Sequence, residues 1–313
     1  VESMADRPFK TCGLGPLIGL ALVLILCILA GTRQSYAQKE ENSFQVAVLV
    51  SKHIKPYMEA ATGLETYLQD QGGAAQIILL EDRDAFQREQ LAKRLQSQSY
   101  QAAVSMGPQA TGFLWGLPEL NIPTLFSMVL HPEQAVGDSR KRLCGVSLSI
   151  PVDIQLQSIE HFLPGHTHIG LLFQPDHNQS IYRQAQRTAR DLDIQVVPMP
   201  LEGQGDVSRV LKEHLDQVDA VWLIPDQTLN SKKVVEYIIK QALYAKVPVI
   251  GYNRFFHESG AAVTFIFDYA LVGRQTGRLL KRSIDFGWCE VRPAEFKVRK
   301  NERIFELLDL EDE

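Results

Sequence analysis

The stretch AVWLIPDQTLNSKKVVEYIIKQALYAKVPVIGYN, residues 220–253, carries the pattern from which the fold is read. Residues 220–224 form an uninterrupted apolar run that stops at Pro225 and a polar turn. A helical pattern follows over 230–245, and a second apolar run over 248–251. Continuous Val/Ile/Leu runs mark strands covered on both faces, and a helix between two such strands marks a parallel crossover. Moving outward, the same alternation continues on both sides. Upstream lie a helix at 151–163, a strand at 168–173, a helix at 179–191, a strand at 194–197 and a helix at 206–217. Downstream come a strand at 262–267 and a helix at 269–283.

An earlier series repeats the theme. Its strands are expected at 44–50, 76–80, 102–106 and 124–128. A helix over 57–71 places Met58, Ala61, Leu64 and Leu68 at helical spacing, and one over 84–97 is expected to turn Phe86, Leu91 and Leu95 inward. A third helix, which Pro118 helps to end, lies between the last two strands. Two series, roughly 44–130 and 168–267 with a joint at 140–150, predict an α/β protein of two doubly wound parallel-sheet lobes. Open α/β sheets bind ligands beyond the carboxyl ends of their strands, so two such edges facing each other would make a ligand cleft.

Composition narrows the class. The 313 residues carry 32 Lys+Arg against 37 Asp+Glu, a formal charge of −5, with 45% hydrophobic and 22% charged residues. This is globular composition, and it excludes disordered and collagen-like chains. The mild negative balance argues against nucleic acid as a partner. Arg7 and Lys10 precede an uncharged stretch, residues 11–32, and Ser35 and Ala37 stand at −3 and −1 of a cleavage site, so residues 1–37 read as a secretory signal. An uncleaved anchor is the second reading, because 22 uncharged residues can span a bilayer. Cys27 follows Leu26 where a lipobox wants a small residue. Cys144 and Cys289 remain after cleavage; two isolated cysteines are the expectation, and a pair closing a long loop in an oxidising compartment is the alternative.

Motif chemistry is sparse. There is no Gly-Lys pair and hence no P-loop, and Gly203–Gly205 lacks the third glycine of a dinucleotide fingerprint. Gly145–Ser149 lacks the closing glycine of a nucleophile elbow. His166 and His168 have no third ligand nearby and read as a solvated strand entrance, with no metal and no cofactor expected. His177 is placed in a polar loop at 174–180, and Lys232 and Lys233 on a solvated helix face. What recurs instead is a polar turn after each strand: Met106-Gly107-Pro108-Gln109, Ser127 to Pro132, Phe173-Gln174-Pro175, Ile224-Pro225-Asp226-Gln227, Gly251-Tyr252-Asn253 and Phe267-Asp268-Tyr269. The first leads into a helix whose free N–H groups would suit an anion.

These segments resemble the substrate-binding proteins of ABC transporters with the type I periplasmic binding fold, in the branch that includes tryptophan/tyrosine-type binders. The likeness rests on VDAVWLIPDQTLNS (218–231), AKVPVIGYN (245–253) and GAAVTFIFDYALVGRQTGRLLKRSI (260–284), with SMGPQAT (105–111), IPTLFSMVLHP (122–132), CGVSLSIPVDIQLQSIEHFLPG (144–165) and IGLLFQPDHNQS (169–180) upstream. Gly273-Arg274-Gln275-Thr276-Gly277 is its most specific piece.

The resemblance implies a first lobe over 38–147, a second over 148–266, a return to the first over 267–287 and a C-terminal segment, 288–313, on the second. It implies Pro108, Gln109, His131, Ser180, Asp226, Gln227, Asn253 and Asp268 as ligand-facing residues, Asp226 and Asp268 for an ammonium and the backbone near Pro108 for a carboxylate. It also implies a small, amino-acid-like ligand, an ABC permease as partner, no catalysis, and a periplasmic or secreted location. A ligand-sensing module for a membrane signalling partner is the alternative function, and an exported hydrolase the third. Two positions depart from the family pattern. Leu130-His131-Pro132 stands where Thr-Asp-Pro is common, and Gln174-Pro175 where Asn-Pro is usual, which points away from amino acids within the wider class of small solutes.

Overall fold

The structure is a computed structural model that describes residues 44–97, 100–118, 120–139 and 141–310. The expected signal segment, residues 1–37, lies outside the described residues. Among the described residues no helix is long and apolar enough to cross a membrane.

The first lobe begins with β1 (Phe44–Val50), α1 (Lys55–Asp70), β2 (Gly73–Leu79), α2 (Ala85–Gln96), β3 (Ala102–Met106), α3 (Pro108–Gly116), β4 (Thr124–Val129), α4 (Pro132–Val136) and β5 (Gly145–Ser147). The second lobe follows with α5 (Val152–Phe162), β6 (His168–Phe173), α6 (Pro175–Ala189), β7 (Gln195–Pro200), α7 (Val207–His214), β8 (Ala220–Leu223), α8 (Lys232–Tyr244), β9 (Val249–Gly251), α9 (Arg254–Glu258) and β10 (Val263–Phe267). The chain ends with α10 (Tyr269–Phe286), β11 (Val291–Pro293), β12 (Phe296–Lys300) and α11 (Glu302–Leu308).

Two six-stranded sheets result, ordered β11-β5-β4-β3-β1-β2 and β12-β10-β9-β8-β6-β7. Every described strand pair is parallel except β10 with β12. Strand alternation shows directly in β1. Val46, Val48 and Val50 join the apolar layer under α1 and α10, while Ala47 and Leu49 join the layer with Leu91, Leu95 and Trp115 on the other face. The second sheet is likewise covered on both faces, with Trp222 in one layer and Val221 and Leu223 in the other.

Element types agree with the sequence reading over most of the chain, and four differences have physical causes. Phe86 is 66% exposed instead of buried. Asp84 starts α2 with a reciprocal capping box to Gln87, and from that start Phe86 lies five residues before Leu91, about 140° around the helix from it. Helix α6 begins at Pro175 with Gln174 as N-cap, so the expected loop carrying His177 is a first helical turn in which proline supplies a preset φ. The expected joint at 140–150 contains β5, three residues too few to show a period. Finally, Cys144 and Cys289 are not isolated but bonded to each other, with Cα atoms 5.3 Å apart. Strand β11 runs parallel to β5 and brings them together.

Helix α10 lies on α1 at very close range. A β-carbon at Gly273 would meet the Ala60 carbonyl, and one at Gly63 the Ala270 carbonyl. Thr276 Oγ1 shares a 2.8 Å hydrogen bond with Ser127 Oγ on β4, and Gly277 leaves room for the Tyr67 ring. The chain therefore passes between lobes three times: from β5 to α5, from β10 to α10, and from β11 to β12.

Candidate functional site

Two of the three crossings, β5 to α5 and β10 to α10, border a cavity of about 470 Å³. The first-lobe side supplies Leu130, His131 and Leu148, the joint supplies Ser149 to Val152, and the second lobe supplies Ser180, Ile181, Gln184, Pro225, Tyr252 and Asn253. Phe267 and Tyr269 enter from the second crossing. A second hollow of about 490 Å³ continues from it over the first lobe, sharing Leu130, His131, Leu148 and Tyr269 and adding Tyr57, Pro108 and Met128. Pockets of this size and mixed lining suit small molecules.

Local backbone geometry aims these groups. Met128 sits at φ 61°, at a register shift between Ser127 and Val129 in the β4–β5 ladder. Such a bulge re-aims the strand end that delivers Leu130 and His131. Gly107, at φ 91°, turns the chain from β3 into α3 where a β-carbon would strike the Tyr57 ring. Ser147 Oγ donates to the Val129 and Leu130 carbonyls and accepts from the Ser149 N–H at 3.1 Å, which ties the start of the first crossing to the end of β4.

Three of the eight sequence-derived candidates line the main cavity: His131, Ser180 and Asn253. Asn253 Oδ1 caps α9 by accepting from the Phe256 N–H at 3.2 Å, which leaves its amide nitrogen available. Pro108 lines the adjoining hollow, and Gln109 is exposed beside it. Gln227 is exposed away from both.

The two acids line neither hollow. Asp226 is 6% exposed and lines neither hollow. Its Oδ2 accepts from the Gln174 N–H at 2.8 Å and Asn178 Nδ2 at 2.7 Å. Its Oδ1 accepts from the Thr228 N–H at 2.9 Å and Thr228 Oγ1 at 2.6 Å. Burial alone would raise this carboxyl, but the four donors outweigh it and hold the group below its ordinary range. Asp268 is exposed and caps α10, accepting from the Leu271 N–H at 3.1 Å.

Sequence reasoning passed over the aromatic wall. Tyr252 packs at 4.4 Å on Phe256, and burial, with the Asp226 charge adding to it, pushes its phenol up to about 12. Burial also raises Tyr269, with Glu59 adding to the rise and Arg254 opposing it. Both tyrosines are therefore neutral donors at ordinary pH. Each stands in a strand-end turn, next to Asn253 and Asp268, where the neighbour is the more polar side chain. Among the described residues no group of three His, Cys, Asp or Glu could hold a metal.

Comparison with known proteins agrees with this geometry. The chain superposes on a ligand-free, open substrate-binding protein with adhesive properties from Clostridium difficile at a TM-score of 0.72 and 18% identity, covering 86% of this chain and 96% of that one. A conserved domain protein from Vibrio cholerae gives 0.61 at 21% identity, covering 86% and 96%. An ABC domain from Streptococcus pneumonia in complex with L-Trp gives 0.60 at 17% identity, covering 86% and 95%. At these identities the likeness establishes the fold, the type I periplasmic binding architecture. No curated protein sequence matches the chain. The family profile described as ABC transporter substrate binding protein matches residues 46–301, and this solute-binding chain, with its cavity bordered by both lobes, belongs to that family.

Proposed function

We propose that the protein is exported, captures a small solute in the cavity between its lobes, and presents the loaded form to an ABC permease. The observation that carries this reading is the position of the cavity. It is bordered by two of the interlobe crossings, at 148–152 and 267–269, and lined from both lobes, so a ligand there is contacted by both lobes at once. Binding energy is then available to hold the lobes at one mutual angle, and a permease can distinguish loaded from empty protein by that angle. The secretory reading of residues 1–37 supports export, and the family to which the chain belongs supports delivery.

In this mechanism no bond is made or broken. The aromatic and aliphatic wall removes apolar surface of the ligand from water, and Ser180, Gln184, Asn253 and the phenols set its orientation. A thermal-shift screen against amino acids, organic acids, sugars and nitrogen heterocycles tests the reading, because a ligand of the folded state raises Tm by mass action. A hit whose shift disappears in Tyr252→Ala supports it. A shift retained in that variant places the ligand elsewhere and refutes the site.

A further inference from the structure

The walls of the cavity carry polar groups but no formal charge: none of its lining residues is Asp, Glu, Lys or Arg. The charges that the sequence placed there are committed to other work. All four acceptor positions of the Asp226 carboxylate are filled from its own lobe, and Asp268 faces solvent as a helix cap. The anion site expected at the start of α3 is reduced to the Gln109 N–H and lies off the main cavity. Pro108 has no N–H, and the Ala110 N–H donates to Ser51 Oγ at 2.9 Å. Helix α5 meets the cavity at Pro151 and Val152, but Asp153 in its first turn already offsets the positive end of that helix.

A zwitterion such as an amino acid would bury an ammonium and a carboxylate with no opposite charge on the wall, which costs several kcal/mol for each ion. A sugar ring would set its hydroxyls against Leu130, Leu148, Ile150, Val152, Ile181 and Ile224. What remains unspent on the wall, the Ser180 hydroxyl included, is neutral. The Gln184 side chain and the Asn253 amide nitrogen have no hydrogen-bond partner among the described residues, the phenols of Tyr252 and Tyr269 donate, and Phe267 offers an aromatic face.

Resting on the solute-binding reading above, we infer that the cavity selects an uncharged planar heterocycle with donors and acceptors on its edge, and discriminates against the charged form of the same ring. The ring lies against aromatic and aliphatic side chains while the amides read its edge. This departs from the amino-acid ligand that the sequence resemblance implies.

Calorimetry on the purified protein with matched pairs tests it: nicotinamide against nicotinate, uracil against orotate, adenosine against adenosine monophosphate. The expected result is that at least one neutral member binds, and binds at least about tenfold tighter than its anion. Equal or tighter binding of the anion overturns the inference, as does tighter binding of L-tryptophan or glucose than of every neutral heterocycle. Silence from all three neutral probes overturns it too. In that case a shift from amino acids, organic acids or sugars leaves the solute-binding reading standing, and silence from those as well removes both. Gln184→Glu supplies the second test, at an exposed position of α6 where Tm should not move. It should weaken the neutral ligand about tenfold. Unchanged affinity would mean that this wall does not read charge.

Discussion

The side chain of Gln275 holds Glu295 by its backbone: Oε1 accepts from the Glu295 N–H at 2.9 Å while Nε2 donates to the Pro293 carbonyl at 2.9 Å. Both partners lie on the third crossing, so a residue of the α10 motif fixes the path by which the chain leaves the first lobe. Gln275→Ala should therefore cost about 1–2 kcal/mol, seen as a lower urea midpoint. It should also raise amide exchange at residues 294–295 specifically. Uniform exchange across the molecule would contradict the local role.

Gly273 answers to a different constraint. With the Ala60 carbonyl where a β-carbon would go, Gly273→Ala must push α10 away from α1. The expected loss is about 3 kcal/mol, and thermal denaturation measures it. A neutral outcome would show that the two helices are not packed this closely.

The Cys144–Cys289 bond closes a loop with a sequence separation of 145. Cross-links over loops this long restrict the unfolded chain strongly, so Cys144→Ser with Cys289→Ser should lower stability by about 2–4 kcal/mol. A reductant should lower the Tm of the parent protein and leave that of the double variant unchanged.

Asp226 makes stability depend on pH in a definite direction. Its folded carboxyl lies below the ordinary 3.8, because four hydrogen bonds outweigh the burial that would raise it. Its stabilising contribution is therefore fully present above that ordinary value and is lost as pH falls through the lower folded one. Asp226→Asn leaves one acceptor oxygen for four donors and should destabilise by about 2–3 kcal/mol, with a flatter acid limb in pH-dependent unfolding. If the charge preference of ligand binding changed instead, the carboxylate would be facing the cavity after all.

Tyr252, pushed up to about 12 chiefly by burial, should stay protonated through the whole stable range of the protein. Ligand affinity should be flat as pH rises from neutrality to about 10, the ordinary phenol value, and difference absorbance should show this phenol among the last to ionise. Early ionisation would mean an open, wetted wall.

The parts of the fold legible in sequence were those with a long period or an unbroken apolar run. Strands at 44–50 and 168–173 stand where the residue pattern puts them, because a strand buried on both faces is built mostly from apolar side chains. Short edge pieces were not legible. Strand β11 is Val-Arg-Pro, exposed throughout, and pairs only through its backbone with β5. Its absence from the sequence reading hid the disulfide as well. At the strand ends, charge singles out Asp226 and Asp268 in the sequence, and in the structure their carboxylates organise turns. The cavity itself is walled by the apolar and aromatic neighbours that a turn-oriented reading treats as filler. The Gly-Arg-Gln-Thr-Gly motif, the most specific signal in the chain, works at the contact of α10 with α1 and β4.

The three crossings also govern the order in which the molecule can be completed. As the chain is synthesised, β5 emerges with one flank of its sheet open, and the strand that closes that flank is made about 145 residues later. Helix α10, which covers one face of β1, arrives only after the whole second sheet except β12 has been made. The second lobe can therefore gather early while the first stays unsealed until nearly the last residues appear. Pairings this distant in sequence are slow to form, and they leave one flank of β5 open until β11 is in place.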